Sequence, residues 1–415
     1  MNLKELCVMA WRNMFRNKRR TFLTAFSVAF GVLLAVTFTA SGDYSYTNLI
    51  NTSANMGFGH LAIEPLGFNA YPTLAKRLAK GEARRQSVLG VDGVAAAYGR
   101  IVGQAIFATG SKSIGGQFVA LDPAVESPEH NVFLEAIEQG SLFGPDDSRG
   151  VVIGVKMAEK LKLHIGKKLV YTVTDKDGEM VSGISQVIGI FRIGEDSVDS
   201  SVVLLPISRM RSILNYNQDE VSLVSIFIDD QRKADAMVSK IRAVAADGEA
   251  EVLTWKETQA ELAGLIAIDR ASNYLLQFLV GLLIAAGIFN TLLMSVLERR
   301  REFGMMMAVG MSPGRIVLLV ITESFWLGLG GLIFGIIITT PWFIYMQEVG
   351  INFSSQIGDD YSAGGVLVDP VLKFRLFKES ALAILAGVFS LTMLAGIYPA
   401  IKAGRVPPVE SLKNF

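Results

Sequence analysis

Three histidines, one cysteine and a few adjacent acid pairs are the side chains of this sequence best equipped for chemistry, and none is spaced to perform it. His60, His130 and His164 are too dispersed to read as a metal-ligand motif. Cys7 is alone, which excludes an intramolecular disulfide framework. Asp146/Asp147 and Asp359/Asp360 sit among Gly, Pro and Ser and read as solvated turns rather than catalytic dyads. The glycine-rich "GSKSIGG" lacks the Lys-Ser or Lys-Thr ending of a phosphate loop, and no G-x-S-x-G or H-E-x-x-H occurs. The expectation is a non-catalytic chain with no metal or cofactor of its own.

What remains conspicuous is "ERRREFGMMMAVGMSPGR" at 298–315. As a helix it puts Phe303, Met306, Met307 and Gly310 on one face, with methionines offering adaptable apolar contacts. Glu298, Arg299, Arg301 and Glu302 form a charged collar, and "MSPG" ends the helix in a turn. Two readings stand: a docking helix for a partner, or a basic loop between membrane spans.

The elements that must position this stretch are membrane helices. The chain has 415 residues, 51% hydrophobic and 19% charged, and a span needs about 20 mostly apolar residues. Four stretches qualify, Phe22–Ala40, Tyr274–Leu297, Ile316–Met346 and Ala381–Ala400, and none contains Lys or Arg. Basic residues flank the first span (Lys4, Arg12, Arg16, Lys18, Arg19, Arg20), join the second to the third (Arg299, Arg300, Arg301, Arg315) and follow the fourth (Lys402, Arg405, Lys413). These segments are expected in the cytoplasm and the long 43–270 region outside, although Lys373, Arg375 and Lys378 dissent. The first span could be a cleaved signal peptide. Its length, and the face formed by Leu3, Leu6, Cys7, Ala10, Trp11 and Met14 ahead of it, favour a retained span led by an interfacial helix. Net charge is zero and gives no sign of a nucleic-acid partner.

Small residues mark helix contacts: Ser27, Gly31 and Ala35 in the first span, packing within the chain or on a second subunit, and Gly328, Gly331 and Gly335 in the third, packing within the chain. Asn290 reads as a helix–helix hydrogen bond, and Glu323, only seven residues past Ile316, as the partner of an arginine of the N-terminal basic flank rather than a proton relay. Between the first two spans, β-branched runs such as "GHLAIEP", "QFVALDP", "KLVYTVT" and "SLVSIFID" alternate with helical patterns, which predicts an α+β domain of two subdomains. "KDG" at 176–178 predicts a hairpin turn. The expected organisation is a 1–21 amphipathic helix, spans at 22–42, 272–297, 316–346 and 379–401, an outer domain at 43–270, a coupling helix at 298–315, an outer loop at 347–378 and a cytoplasmic tail at 402–415.

The sequence resembles the permease subunits of the MacB, FtsX and LolC–LolE class of ABC transporters, the mechanotransmission type. The likeness rests on "AWRNMFRNKRRTFLT", on "VLERRREFGMMMAVGMSPGRI" and on "YPAIKAGRVPPVESL", with weaker matches in the outer domain, and is nearest to the lipoprotein-releasing branch. It implies four transmembrane helices with a large MacB-like extracytoplasmic domain, in a bacterial inner membrane. It also implies two copies of a separate ATPase that holds ATP and Mg, a second permease forming a homo- or heterodimer, and a periplasmic carrier or adaptor. The 298–315 segment would be the coupling helix, built on Glu298, Arg299, Arg301, Glu302, Phe303, Gly304, Met306, Met307 and Gly310. Met307 stands where relatives often carry a basic residue. The implied function is extraction of lipoprotein or other lipidic cargo, with adaptor-dependent efflux and signalling to an external hydrolase as alternatives. Phe38, Tyr44, Tyr46, Ile268, Tyr274 and Phe278 are expected near the outer ends of the first two spans, as a cargo entrance in contact with membrane lipid or as ordinary interface anchors.

Overall fold

The structure is a computed structural model, which describes residues 3–16, 18–144, 149–357, 362–363 and 366–407. Asp146/Asp147, Asp359/Asp360, Lys413 and the end of the closing motif lie outside the described residues. The chain forms two compact units. The first comprises Met1–Ser45, Ile268–Asn352 and Val371–Phe415; the second comprises Tyr46–Ala267 and Phe353–Pro370.

The first unit is helical. An amphipathic helix, Leu3–Arg16, precedes four helices long and apolar enough to cross a membrane: Lys18–Ser53, Ala260–Glu298, Pro313–Glu348 and Lys378–Gly404. Lipid tails are as apolar as leucine, so close backbone approach rather than water exclusion holds such helices together. The third helix uses its glycines this way. A Cβ built on Gly331 would lie 2.6 Å from Cβ of Val28, and one on Gly335 2.9 Å from Cβ of Val32, both on the first helix. Gly328 faces Thr392 and Phe389 of the fourth. The glycines therefore pack inside the chain, as their spacing predicts, and Gly31 meets Ile284 of the second helix. Asn290 is exposed, and its side chain makes no hydrogen bond within the described residues.

The second unit is α+β. Ten strands form one sheet: β1 Leu61–Pro65, β2 Val94–Thr109, β3 Lys112–Leu121, β4 Ile137–Gly140, β5 Gly150–Gly154, β6 Lys168–Thr174, β7 Met180–Phe191, β8 Val202–Pro206, β9 Leu223–Ile228 and β10 Ala250–Thr254. Their order is β10-β1-β9-β2-β3-β8-β5-β7-β4, with β6 paired to β2 and β7. β2, 16 residues long, runs through both halves of the sheet, pairing with β9 along its first part and with β3 and β6 along its second. The predicted hairpin joins β6 to β7, with Gly178 at φ 89° and the Asp175 carboxylate accepting from the backbone N–H of Asp177 and Glu179. Part of the segment expected as an outer loop between the last two spans, Phe353–Pro370, belongs to this unit. Val366 is buried in its main core, and the Ser362 hydroxyl donates to Glu195.

Candidate functional site

The second and third spanning helices are joined by a short helix, Arg300–Ala308. Its end is a Schellman motif: Gly310, at φ 99°, donates to the carbonyl of Met307, and Met311 to that of Met306. Gly310 thus closes the helix, and Ser312-Pro313 starts the next.

One face of this helix is locked into the chain. Phe303 is fully buried among Val296, Ile316, Val320, Ala400 and Ala403, with Met306 and Met307 packed beside it. Gly304 is buried too. Of the expected docking face, Phe303 is thus turned inward, Met306 and Met307 are partly buried beside it, and Gly310 is exposed. The physical reason is simple: a short amphipathic helix lying under a helix bundle has its own bundle as the nearest apolar surface. Arg299 is also internal. Its Nη1 donates to both oxygens of Glu323, at 2.9 and 2.8 Å, and its Nε donates to Glu302 at 3.0 Å. Its guanidinium lies 5.0 Å from the Phe303 ring. Glu323 also accepts from Asn13 at 2.8 Å, and Glu302 from Arg16. Partial burial pushes the Glu302 carboxyl up, but the hydrogen bonds from Arg299 and Arg16 outweigh it and hold it below the usual carboxylate range. The cation paired with Glu323 is Arg299, in the basic stretch ahead of the third helix, and the N-terminal helix supplies an amide. Leu6 and Ala10 seat that helix on Leu319, and Trp11 meets Trp326 edge to face at 4.9 Å. The N-terminal helix, the short helix and the third spanning helix form one clasp.

The opposite face looks outward. Val309 is 90% exposed and Met305 50%, flanked by exposed Glu298, Arg300, Arg301 and Gly310. Met305 and Val309 are not among the residues singled out from the sequence. The usable signal was Arg299, one helical turn before Phe303, which aligns the buried face with the carboxylates rather than with a partner.

A second candidate lies among the spans. A groove of about 500 Å³ is lined by Gly31, Ala35, Phe38 and Thr39 of the first helix, Tyr274, Gln277, Phe278 and Gly281 of the second, and Ser380, Ala383 and Gly387 of the fourth. Gln277 donates to the Thr39 hydroxyl at 3.4 Å across it. Of the expected entrance residues, Phe38, Tyr274 and Phe278 line it, whereas Tyr44, Tyr46 and Ile268 do not. Tyr46 is buried in the core of the outer unit.

Residues 21–244 match the family model of the MacB-like periplasmic core domain, and 274–408 that of the FtsX-like permease C-terminal region. An uncharacterized ABC transporter permease of Methanocaldococcus jannaschii is 25% identical over 100% of this chain and 99% of its own length. A pyoverdine export ATP-binding/permease protein of Pseudomonas fluorescens is 25% identical over 99% of this chain, which spans 60% of that longer protein. The lipoprotein-releasing system transmembrane protein LolE of Haemophilus influenzae is 22% identical over 64% of each chain.

Proposed function

Because the chain belongs to the MacB and FtsX family of ABC transporter permeases, we propose that it is the membrane half of a transporter whose ATPase is a separate cytoplasmic subunit docked on Met305 and Val309. The observation that carries this reading is the two-sidedness of the short helix. One face is clamped by Phe303 and the Arg299–Glu323 pair, and the other offers an exposed valine and methionine within a basic rim. A push on the outer face would pass through the clasp to the third spanning helix and the N-terminal helix without deforming the short helix. ATP and Mg belong to the partner, two copies of which serve a pair of permeases in a bacterial inner membrane. Asn290, exposed at mid-span, suits hydrogen bonding to the second permease.

The cargo we assign is lipidic, lipoprotein or another acylated molecule received from the membrane and handed to an extracytoplasmic carrier. The groove supports this: its glycines leave room for an acyl chain beside Phe38, Tyr274 and Phe278, and Gln277 and Thr39 provide a polar rim. The test is Val309→Asp with Met305→Asp. A charge buried at an interface costs several kcal/mol, so the ATPase should no longer copurify while the permease remains inserted and folded. Unchanged copurification and unchanged stimulation of ATP hydrolysis would leave the segment a basic loop.

A further inference from the structure

The outer unit contains a cavity of about 650 Å³ that the coupling reading does not use. Its volume is that of a small-molecule site. Phe58, Phe68 and Met180 give it apolar walls, and Glu64, Gln104 and Gln117 bring polar groups to it. Glu64 is 4% exposed, and its Oε2 is enclosed without a hydrogen-bond partner. It sits on β1, whose Leu61 and Ile63 belong to the main core while Glu64 shares the cavity wall with Phe68, Val102 and Leu223.

The arrangement is unfavourable as plain structure. Directly across the strand pair from Glu64 lies Glu251, a second carboxylate, occupied by the backbone N–H of Gly67 at 2.8 Å. Like charges directly opposite on paired strands repel, and a buried carboxyl without a donor is costly. Burial, and then Glu251, push the Glu64 carboxyl up to about 7. Gln104 and Gln117 are themselves register partners on β2 and β3. A cation would satisfy the carboxyl, and the two carboxamides stand where they can receive an adjoining amide.

We propose that this cavity binds an organic cation, an ammonium or guanidinium group on an apolar body such as the lysine or arginine side chain of a short peptide segment, with Glu64 as its counter-ion. The site is independent of the ATPase-docking reading and is tested without it.

The probe is N-acetyl-phenylalanyl-arginine amide, against its uncharged citrulline counterpart, titrated calorimetrically into the full chain in lipid nanodiscs. The arginine probe should bind saturably and at least tenfold more tightly than the citrulline probe. Glu64→Gln should remove that preference and raise the melting temperature of the unliganded chain, because it relieves a buried repulsion. Gly115 lines the cavity, and a Cβ there meets nothing within 4 Å, so Gly115→Leu should block both probes without disturbing the fold. Absence of saturable binding, equal affinity for the two probes, retained preference in Glu64→Gln, or a lowered melting temperature for that variant would each overturn the assignment. The last would show the carboxyl to be a support of the fold.

Discussion

Separating Arg299 from Glu323 should cost far more than removing both. Their side chains are 8% and 11% exposed, with a 2.8 Å contact. At a charge separation of ~4 Å and an effective dielectric of ~20, attraction is about 4 kcal/mol, and desolvation of two buried ions offsets most of it. In Arg299→Met, Glu323 keeps only the amide of Asn13, and the expected loss is about 3–5 kcal/mol. In Glu323→Gln, Arg299 keeps Glu302 and the new carboxamide still accepts from it, so the loss should be about 1–2 kcal/mol. The double variant Arg299→Met/Glu323→Gln, which leaves neither charge buried alone, should lie within about 2 kcal/mol of the parent. Reversible unfolding in mixed micelles gives the four free energies, and the cycle isolates a coupling of roughly 2 kcal/mol or more. Hydrogen exchange at 300–308 should rise in Arg299→Met and return toward the parent value in the double variant. Additive losses, or a double variant worse than Arg299→Met, would refute the clasp as a paired unit.

Gly310→Ala should lose about 1 kcal/mol or more, since its φ of 99° is strained for any other residue; unfolding of that variant beside Gly314→Ala, where a Cβ meets nothing, measures the difference. Gly331→Leu should separate the first and third helices and lower the melting temperature, because even a Cβ would lie 2.6 Å from Val28. His60 is held to about 4, first by burial and then by His130, with Nδ1 accepting from Ile228 N–H and Nε2 facing Asn51. Its folded value is depressed, so its contribution is complete above 6.5 and is lost as pH falls through about 4, roughly 3 kcal/mol in all. Glu64 acts oppositely, costing stability as pH rises from 4.5 through about 7; subtracting the pH-stability curves of His60→Gln and Glu64→Gln from the parent curve separates the two.

The spanning helices were legible because 20-residue apolar runs have no competing explanation in a chain of this composition. Strands β1, β3 and β5 to β9 were legible from β-branched runs, whereas β2 was not. Its "VAAAYGRIVGQAIFAT" is rich in Ala and Gly, which favour no strand, and its partners alone make it one. The short helix was legible as a helix but not in its orientation. Periodicity identifies an apolar face without saying which neighbour covers it, and Phe303 is covered by residues nearly a hundred positions away, at Ala400 and Ala403. Glu323 was recognisable as an acid paired with an arginine, but which arginine was not, because Arg299, Arg300 and Arg301 are adjacent and only the joint between Glu298 and the short helix turns Arg299 inward.

Val366 sets a timetable for biogenesis. The outer core is otherwise made of residues up to Ile266, yet Val366 is translated only after two further spans have emerged. At ~5–20 residues per second that is a delay of about 5–20 s. During that interval the nascent outer domain carries an unfilled apolar notch on the far side of the membrane from the ribosome. Its final consolidation therefore waits on insertion of the second and third helices, and a fragment ending at residue 270 would carry the notch permanently as exposed, adhesive surface.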